Sequence, residues 1–245
     1  MVKIIKLSAI DSTNTYLKEL CKNVKLDDGT IVVTRRQTAG RGQMGAKWQS
    51  VEGLSLAFSV FKRFSSVLLI EQSQINFAVS LGIMKALQKL QVPDIRIKWP
   101  NDIMSYQKKL CGVLIENQLD GDKITSSVIG IGLNVNESEF PNLPFASSMK
   151  LSSGTSYNLD EVLHLVSEAI MKELAAIDTS KTLVSIREKY ESNLFRKDKV
   201  SVFENTEGNN FNGIIRGVTE SGKLLVELED ESIQDFELKQ IRMLL

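Results

Sequence analysis

The feature that most constrains the fold is a polar, glycine-rich loop with strand patterns on both sides. Gly40-Arg41-Gly42-Gln43-Met44-Gly45 fits G-x-G-x-x-G. Thr30-Ile31-Val32-Val33 before it reads as a strand, and Leu54–Phe61 after it alternates as a strand does. A dinucleotide-binding Rossmann turn passes from strand to helix, which argues against that fold. A P-loop needs Lys-Ser or Lys-Thr directly after its last glycine, whereas Ala46-Lys47-Trp48 stands here. A kinase glycine loop does join two strands, but no His-Arg-Asp or Asp-Phe-Gly segment follows. What remains is physical. The glycines let backbone amides approach an anion, and Arg41 can hold a phosphate or carboxylate through two N–H groups. Trp48 can cover a flat ring.

Composition then removes whole classes of chemistry. The chain has one histidine, His164. Triad hydrolases take a histidine as base, and zinc sites take several His or Cys ligands, so neither is expected. His164 lies in a run where Leu159, Val162, Leu163, Val166, Ile170 and Leu174 recur at helical spacing, so it is expected on a helix surface. Two cysteines, Cys21 and Cys111, are too few for a disulfide framework, and a reducing cytoplasm is the expected location. No apolar run approaches the roughly 20 residues of a membrane span, and Met1–Ser8 reads as a first strand rather than a signal peptide. The formal net charge is +0, which argues against a generic nucleic-acid binder. Residues 35–109 nevertheless hold 12 Lys+Arg against 4 Asp+Glu. That excess suits a local anionic ligand or a solvated basic face.

The 245 residues suit one large domain, or one plus a small one. Ile4–Ala9 predicts a strand. Asp11-Ser12-Thr13-Asn14 offers N-cap side chains for a helix with Tyr16, Leu17, Leu20, Cys21 and Val24 on one face. Glu71–Gln91 is apolar around much of its circumference and predicts a buried central helix. Ile95, Ile97 and Trp99 alternate as a strand that Pro100 halts. Leu110–Leu119 and Ile124–Val135 flank Asp120-Gly121-Asp122, a hairpin signal. Pro141–Gly154 reads as a loop. Asn158 with Glu161 resembles a capping box, and Thr182–Phe195 predicts a further helix. Beyond Arg196, the runs Val200–Phe203, Gly213–Val218, Leu224–Leu228 and Ile233–Leu238 predict a small barrel or meander. A boundary is placed there, giving domains 1–196 and 197–245.

Three more segments carry chemistry. Lys98-Trp99-Pro100-Asn101-Asp102 puts an amide and a carboxylate at the end of a strand. Lys109-Leu110-Cys111-Gly112 opens a strand with a lysine. Gly130-Ile131-Gly132-Leu133-Asn134-Val135-Asn136 closes the next with glycines and asparagines. Singly, each also fits an ordinary turn or strand edge. Together with Asp11–Asn14 and Gln37-Thr38-Ala39-Gly40-Arg41-Gly42, and in this order, they resemble the biotin protein ligases over nearly the whole chain.

The resemblance implies an α+β fold, with helices packed on a mixed or antiparallel sheet of the class II synthetase and biotin/lipoyl ligase type, plus a C-terminal SH3-like barrel. It implies a two-step reaction. Biotin and ATP, with Mg²⁺, give biotinyl-5′-AMP, and a lysine of a biotin carrier domain of a carboxylase then displaces AMP. It implies Ser12, Thr13, Asn14, Gln37, Gly40, Gly42, Gln43 and Gly112 around biotin, with Arg41 and Lys109 bridging its carboxylate and the α-phosphate. It implies Arg41, Gln43, Trp48, Asn101, Lys109, Asn134 and Arg216 around the nucleotide. Arg41, Lys109 and Asp102 would be catalytic, Asp102 through Mg²⁺ or through the attacking lysine. Elementary chemistry agrees, since two anions must be brought together and cations offset their repulsion.

The chain departs from the family pattern at Gln43, where the commonest loop has a second arginine, and at Met44 and Ala46, often basic. Faster escape of the intermediate is the consequence expected. Because the chain opens on the first catalytic strand, no DNA binding and no repression are expected of it. A homodimer or a carrier domain could pair with an open sheet edge. Two competing readings are a lipoate or octanoate ligase of the same fold and an idle biotin-binding sensor.

Overall fold

The computed structural model describes residues 3–49, 51–177 and 183–245. The chain runs β1 (Ile4–Ile10), α1 (Thr13–Asn23), β2 (Ile31–Gln37), β3 (Ser55–Arg63), α2 (Gln72–Lys89), β4 (Ile95–Lys98), β5 (Asp102–Ser105), β6 (Lys108–Asp120) and β7 (Lys123–Asn134). Next come α3 (Met149–Ser153), α4 (Leu159–Ile177) and α5 (Leu183–Ser192). A second group of strands follows: β8 (Val200–Asn205), β9 (Asn210–Val218), β10 (Leu224–Glu227), β11 (Ile233–Phe236) and β12 (Ile241–Met243).

The first seven strands form one sheet in the order β1-β2-β3-β7-β6-β5-β4. β1 and β2 pair in parallel, and the other neighbours pair antiparallel. Strand periodicity sorts its two faces. Ile31 and Val33, Leu56, Phe58 and Val60, Val113, Ile129, Ile131 and Leu133 share one core with α2 and α4. Their sequence neighbours Val32, Phe61 and Val128 join Leu17 of α1 in a smaller cluster on the opposite face. α1 covers only part of that second face, and the uncovered part carries the site.

Each helix has a sequence cause. Ser12 caps α1, its hydroxyl accepting from the Thr15 amide at 3.5 Å. α2 buries Ile75, Phe77, Ala78, Val79, Leu81, Ile83 and Leu87, consistent with its all-round apolar sequence and its contacts with β4, β5, α4 and α5. The Asn158 carboxamide accepts from the Asp160 and Glu161 amides at the start of α4. His164 is exposed on α4, as its spacing predicts.

The β8–β12 strands form an antiparallel sheet in the order β11-β10-β9-β8-β12, with Phe203, Ile215, Val226 and Ile241 buried. Mixed sheet, helices and small second sheet together meet the α+β expectation. We propose residues 197–245 as a second domain.

Four local expectations change. Asp102 does not end a strand but starts β5, pairing with Lys98 across a tight hairpin. β5 and β12, of four and three residues, are too short for alternation to reveal. α3 interrupts the expected loop, with Ser148 capping it and Gly154 ending it in the left-handed region. Val24 is exposed because α1 stops before it. Within the helix expected over 182–195, residue 182 lies outside the described residues.

Candidate functional site

The site is built on a bare patch of the sheet. Gly112 of β6 pairs with Gly132 of β7, and Leu114 with Gly130. β3 places Ala57 opposite Gly132 and Ser59 opposite Gly130. These positions share the face away from α2, because the intervening Cys111, Val113, Ile129, Ile131 and Leu133 are buried in the main core. Small residues leave space above this floor. A Cβ at Gly132 would run into the Trp48 indole, and one at Gly130 into the Asn14 carboxamide.

Above one end of the floor lies a chamber of about 260 Å³, which Ser12, Thr13, Asn14, Gln37, Arg41, Gly42, Gln43 and Gly112 help to line. Its polar groups are chained together. Gln37 Oε1 accepts from the Thr13 amide at 2.9 Å and from its hydroxyl at 3.2 Å. The Ser59 hydroxyl lies 2.7 Å from Thr13 Oγ1 and 2.6 Å from Asn14 Oδ1. The start of α1, the end of β2 and the middle of β3 therefore meet in one network of fixed donors and acceptors, suited to a polar ring system.

The glycine-rich loop closes over this chamber as a narrow ribbon. The Gly42 amide donates to the Ala46 carbonyl at 2.7 Å and the Trp48 amide to the Gly40 carbonyl at 3.0 Å, with Arg41 bridged to Lys47. A single 3-10 turn, Gln43–Gly45, interrupts it. Both amides are satisfied within the loop, the Gly42 amide being one of those the sequence offers to an anion. Gly40 is there for close approach, since a Cβ would meet the Trp48 carbonyl oxygen at 2.5 Å. Past the ribbon, Glu137 anchors the chain by accepting from the Val51 amide and the Ser55 hydroxyl.

A second chamber of about 900 Å³ lies on the far side of Trp48. Lys47, Trp48, Asp102 and Lys109 line both chambers and mark their junction. There Lys109 Nζ lies 2.7 Å from Asp102 Oδ1. The larger chamber adds Lys98, Asn134 and Arg242, so four cations face one side-chain carboxylate. Burial holds the Lys98 ammonium below its ordinary range, Asp102 opposes that, and nearby Lys109 and Arg242 add to it. The Trp48 indole N–H is buried without a hydrogen-bond partner. This chamber suits a polyanion beside a flat ring.

Most of the expected site residues converge, with differences in detail: Gly40, expected at biotin, lines neither chamber, and Arg41 and Gln43, expected at both ligands, line only the small one. Arg41 lines the small chamber, yet its guanidinium lies 3.0 Å from Glu116, which the sequence reading did not single out. Asn101 lines the small chamber rather than the large one, and its amide donates to the Val113 carbonyl at 2.8 Å, holding the β4–β5 turn against β6. Asn134 does line the large chamber, its amide donating to the Ser147 carbonyl at 3.0 Å. Arg216 lines neither chamber. It is paired with Glu227 at 2.8 Å and Asp198 at 2.7 Å on the small sheet. Arg242 reaches the large chamber instead, from a strand too short to be foreseen. Among the described residues no group of three or more His, Cys, Asp or Glu gathers as a metal site. Cys111 is buried, and burial pushes its thiol far up, which leaves it unreactive.

Known proteins resemble this chain in sequence and in fold. A family model described as the biotin/lipoate A/B protein ligase family matches residues 7–134, and one described as the biotin protein ligase C terminal domain matches residues 203–237. The bifunctional ligase/repressor BirA of Bacillus spizizenii is 35% identical over 155 residues, which is 62% of this chain and 47% of that protein. The chain thus spans about half the length of the first curated relatives it matches. The biotin–[acetyl-CoA-carboxylase] ligase of Paracoccus denitrificans is 27% identical over 227 residues, 90% of this chain and 92% of that one. A biotin protein ligase from Aquifex aeolicus in complex with biotin and ATP superposes with a TM-score of 0.80 at 28% identity, over 100% of this chain and 99% of that chain. With a family model matched over more than half its length and a neighbour of the same shape end to end, the chain belongs to the biotin/lipoate A/B protein ligase family.

Proposed function

We propose that the chain is an ATP-dependent biotin protein ligase. One observation carries this reading: a small chamber of amides and hydroxyls and a large cationic chamber meet at Lys109, Asp102 and Trp48. A ureido ring offers one carbonyl and two N–H groups, which the Thr13–Gln37–Asn14–Ser59 network can match. The acid at the end of biotin's chain would then point toward the junction. One carboxylate oxygen attacks the α-phosphorus of ATP, the bond to the bridging oxygen breaks, and pyrophosphate leaves. Lys109 and Arg41 offset the repulsion between the two anions. In the second step a neutral lysine amine of a carrier domain attacks the acyl carbon, AMP leaves, and the nitrogen loses a proton. Neither step needs a histidine.

Asp102 is the side-chain carboxylate at this junction. Magnesium ions take one or two carboxylates plus phosphate oxygens, so one carboxylate fits an ion that arrives with ATP. Its other role, receiving the proton of the attacking amine, is separable from the first. Asp102→Asn that loses adenylation points to the nucleotide; a loss confined to transfer points to the amine.

The polar network favours biotin over lipoate, whose dithiolane and alkyl chain need an apolar tunnel. The Lys109–Asp102 pair at the junction favours an enzyme over an idle sensor. The test is pyrophosphate exchange into ATP. Biotin should support it and lipoate should not, and intact mass should show a biotin carrier domain gaining one biotinyl group. No biotin-dependent exchange would refute the ligase reading.

The same proposal makes a carboxylase carrier domain the protein partner, and self-association through a sheet edge is checked by sedimentation with and without biotin and ATP. It covers the ligase activity, not repression. A gel shift retaining a DNA fragment would change that. Among the described residues no helix is long and apolar enough to cross a membrane. Unpaired Cys21 and Cys111 fit a reducing cytoplasm.

A further inference from the structure

Glu116 sits on β6 on the same face as Gly112 and Leu114, about 13 Å along the strand from Gly112. Its carboxylate gathers three donors, two from α1 and one from the glycine-rich loop. Oε2 accepts from Asn14 Nδ2 at 2.9 Å and lies 3.0 Å from Arg41 Nη2, and Oε1 accepts from Lys18 Nζ at 2.8 Å. One oxygen therefore serves both the substrate-head pocket, through Asn14, and the glycine-rich loop, through Arg41.

Each link has a consequence. Asn14 is buried, and its amide could sit either way round. With Nδ2 held by Glu116 and the Leu114 carbonyl, Oδ1 is left to accept from Ser59, which in turn touches Thr13 and hence Gln37. Glu116 thereby sets the direction of the whole polar chain in the pocket. On the other side, the loop is a ribbon tied across Arg41–Lys47 and Gly40–Trp48, so fixing Arg41 also fixes where Trp48 lies. The ribbon then rests at two points, the indole on the glycine floor and the guanidinium on Glu116. A guanidinium has five N–H donors, so the bond to Glu116 leaves Arg41 able to take a substrate anion. Lys18 shares the carboxylate, so two cations face one acid and the charge of Arg41 is not cancelled.

We propose that Glu116 is a positioning residue for this site, which holds Asn14 and Arg41 in register so that the substrate-head pocket and the closing loop act as one unit. The proposal rests on the ligase reading. An exposed ion pair alone would do little. What distinguishes this one is that it shares an oxygen with a buried pocket residue.

The experiment compares wild type, Glu116→Gln and Glu116→Ala by hydrogen–deuterium exchange of residues 38–49 with saturating biotin, by biotin KM and kcat in pyrophosphate exchange, and by melting temperature. Glu116→Ala should speed loop exchange and raise biotin KM by about tenfold each, with kcat changed less than about threefold and folding retained. Glu116→Gln keeps an acceptor for Asn14 but loses the charge that holds Arg41. It should loosen the loop as much while raising biotin KM less than Glu116→Ala does. In the Arg41→Ala background, Glu116→Ala should loosen the loop no further. Loop exchange and KM both within about twofold of wild type in Glu116→Ala would overturn the proposal. So would a raised KM with a lowered melting temperature and an unchanged loop, which marks a merely structural role. Wild-type protein that binds no biotin refutes the ligase reading itself, a result visible before any variant is compared.

Discussion

Lys98, Lys109 and Asp102 illustrate how a few side chains set the behaviour of the large chamber. Burial disfavours the charged form of Lys98, and a bound triphosphate would favour it. The sign follows. The free protein holds Lys98 below its ordinary 10.5, a bound polyanion would raise it again, and nucleotide binding should therefore take up protons at alkaline pH. Calorimetry of ATP binding in buffers of different ionisation enthalpy should show that uptake at alkaline pH, and Lys98→Met should abolish it. At the junction, Arg41→Ala and Lys109→Ala should each lower biotin-dependent pyrophosphate exchange by about 10²–10³-fold, the scale of losing one preorganised charge partner of the reacting oxygens. Gln43 lines the small chamber where the commonest family loop carries an arginine. Gln43→Arg should slow escape of biotinyl-AMP in a trapping assay. Release as fast as wild type would show that loop charge at this position does not govern retention.

At the scale of elements, the site depends on what β6 and β7 leave out. Paired glycines at 112 and 132 form a floor with no side chains, and Trp48 lies directly on it. Gly132→Ala adds one methyl group that the indole cannot share space with, so the loop must lift. Fluorescence and kinetics should then show a more exposed Trp48 and an ATP KM raised by about tenfold, with overall stability changed by no more than about 1 kcal/mol. The strand signals themselves were legible, β3 from its alternation and β6 and β7 from the hairpin signal between them. The functional importance of their glycines was legible only as motif. The sequence has no way to say that Gly132 faces Trp48, 84 positions earlier, since that contact exists only after two strands and a loop are assembled.

For the whole molecule, the small sheet is keyed into the β4–β5 turn and into α2 and α5. The Trp99 indole donates to the Gly222 carbonyl at 2.9 Å, Ser73 to the Glu220 carbonyl at 2.6 Å, and the Val218 amide to Glu191 at 3.1 Å. From the other side the Tyr190 hydroxyl donates to the Pro100 carbonyl at 2.6 Å. The turn that delivers Asp102 is thus held by both sheets and by α5. Trp99→Phe removes one of these bonds, with an expected cost of about 1 kcal/mol in unfolding free energy and a rise in ATP KM larger than that in biotin KM. Equal shifts in the two KM values would mean that the small sheet supports the fold without tuning the nucleotide chamber.

Local chemistry along the chain determined a good deal: period-two and period-3.6 patterns, caps at Ser12 and Asn158, a loop between two strands, and the order of Arg41, Asp102, Lys109 and Asn134. These follow from interactions between residues close in sequence, or from residue types needed for one reaction. Packing decided the rest. Arg216 was turned toward Asp198 and Glu227 while Arg242 came to the chamber, and Glu116 was set beside Arg41, 75 residues away. Which charge faces which depends on strand register and on how two sheets meet, and no local pattern encodes either.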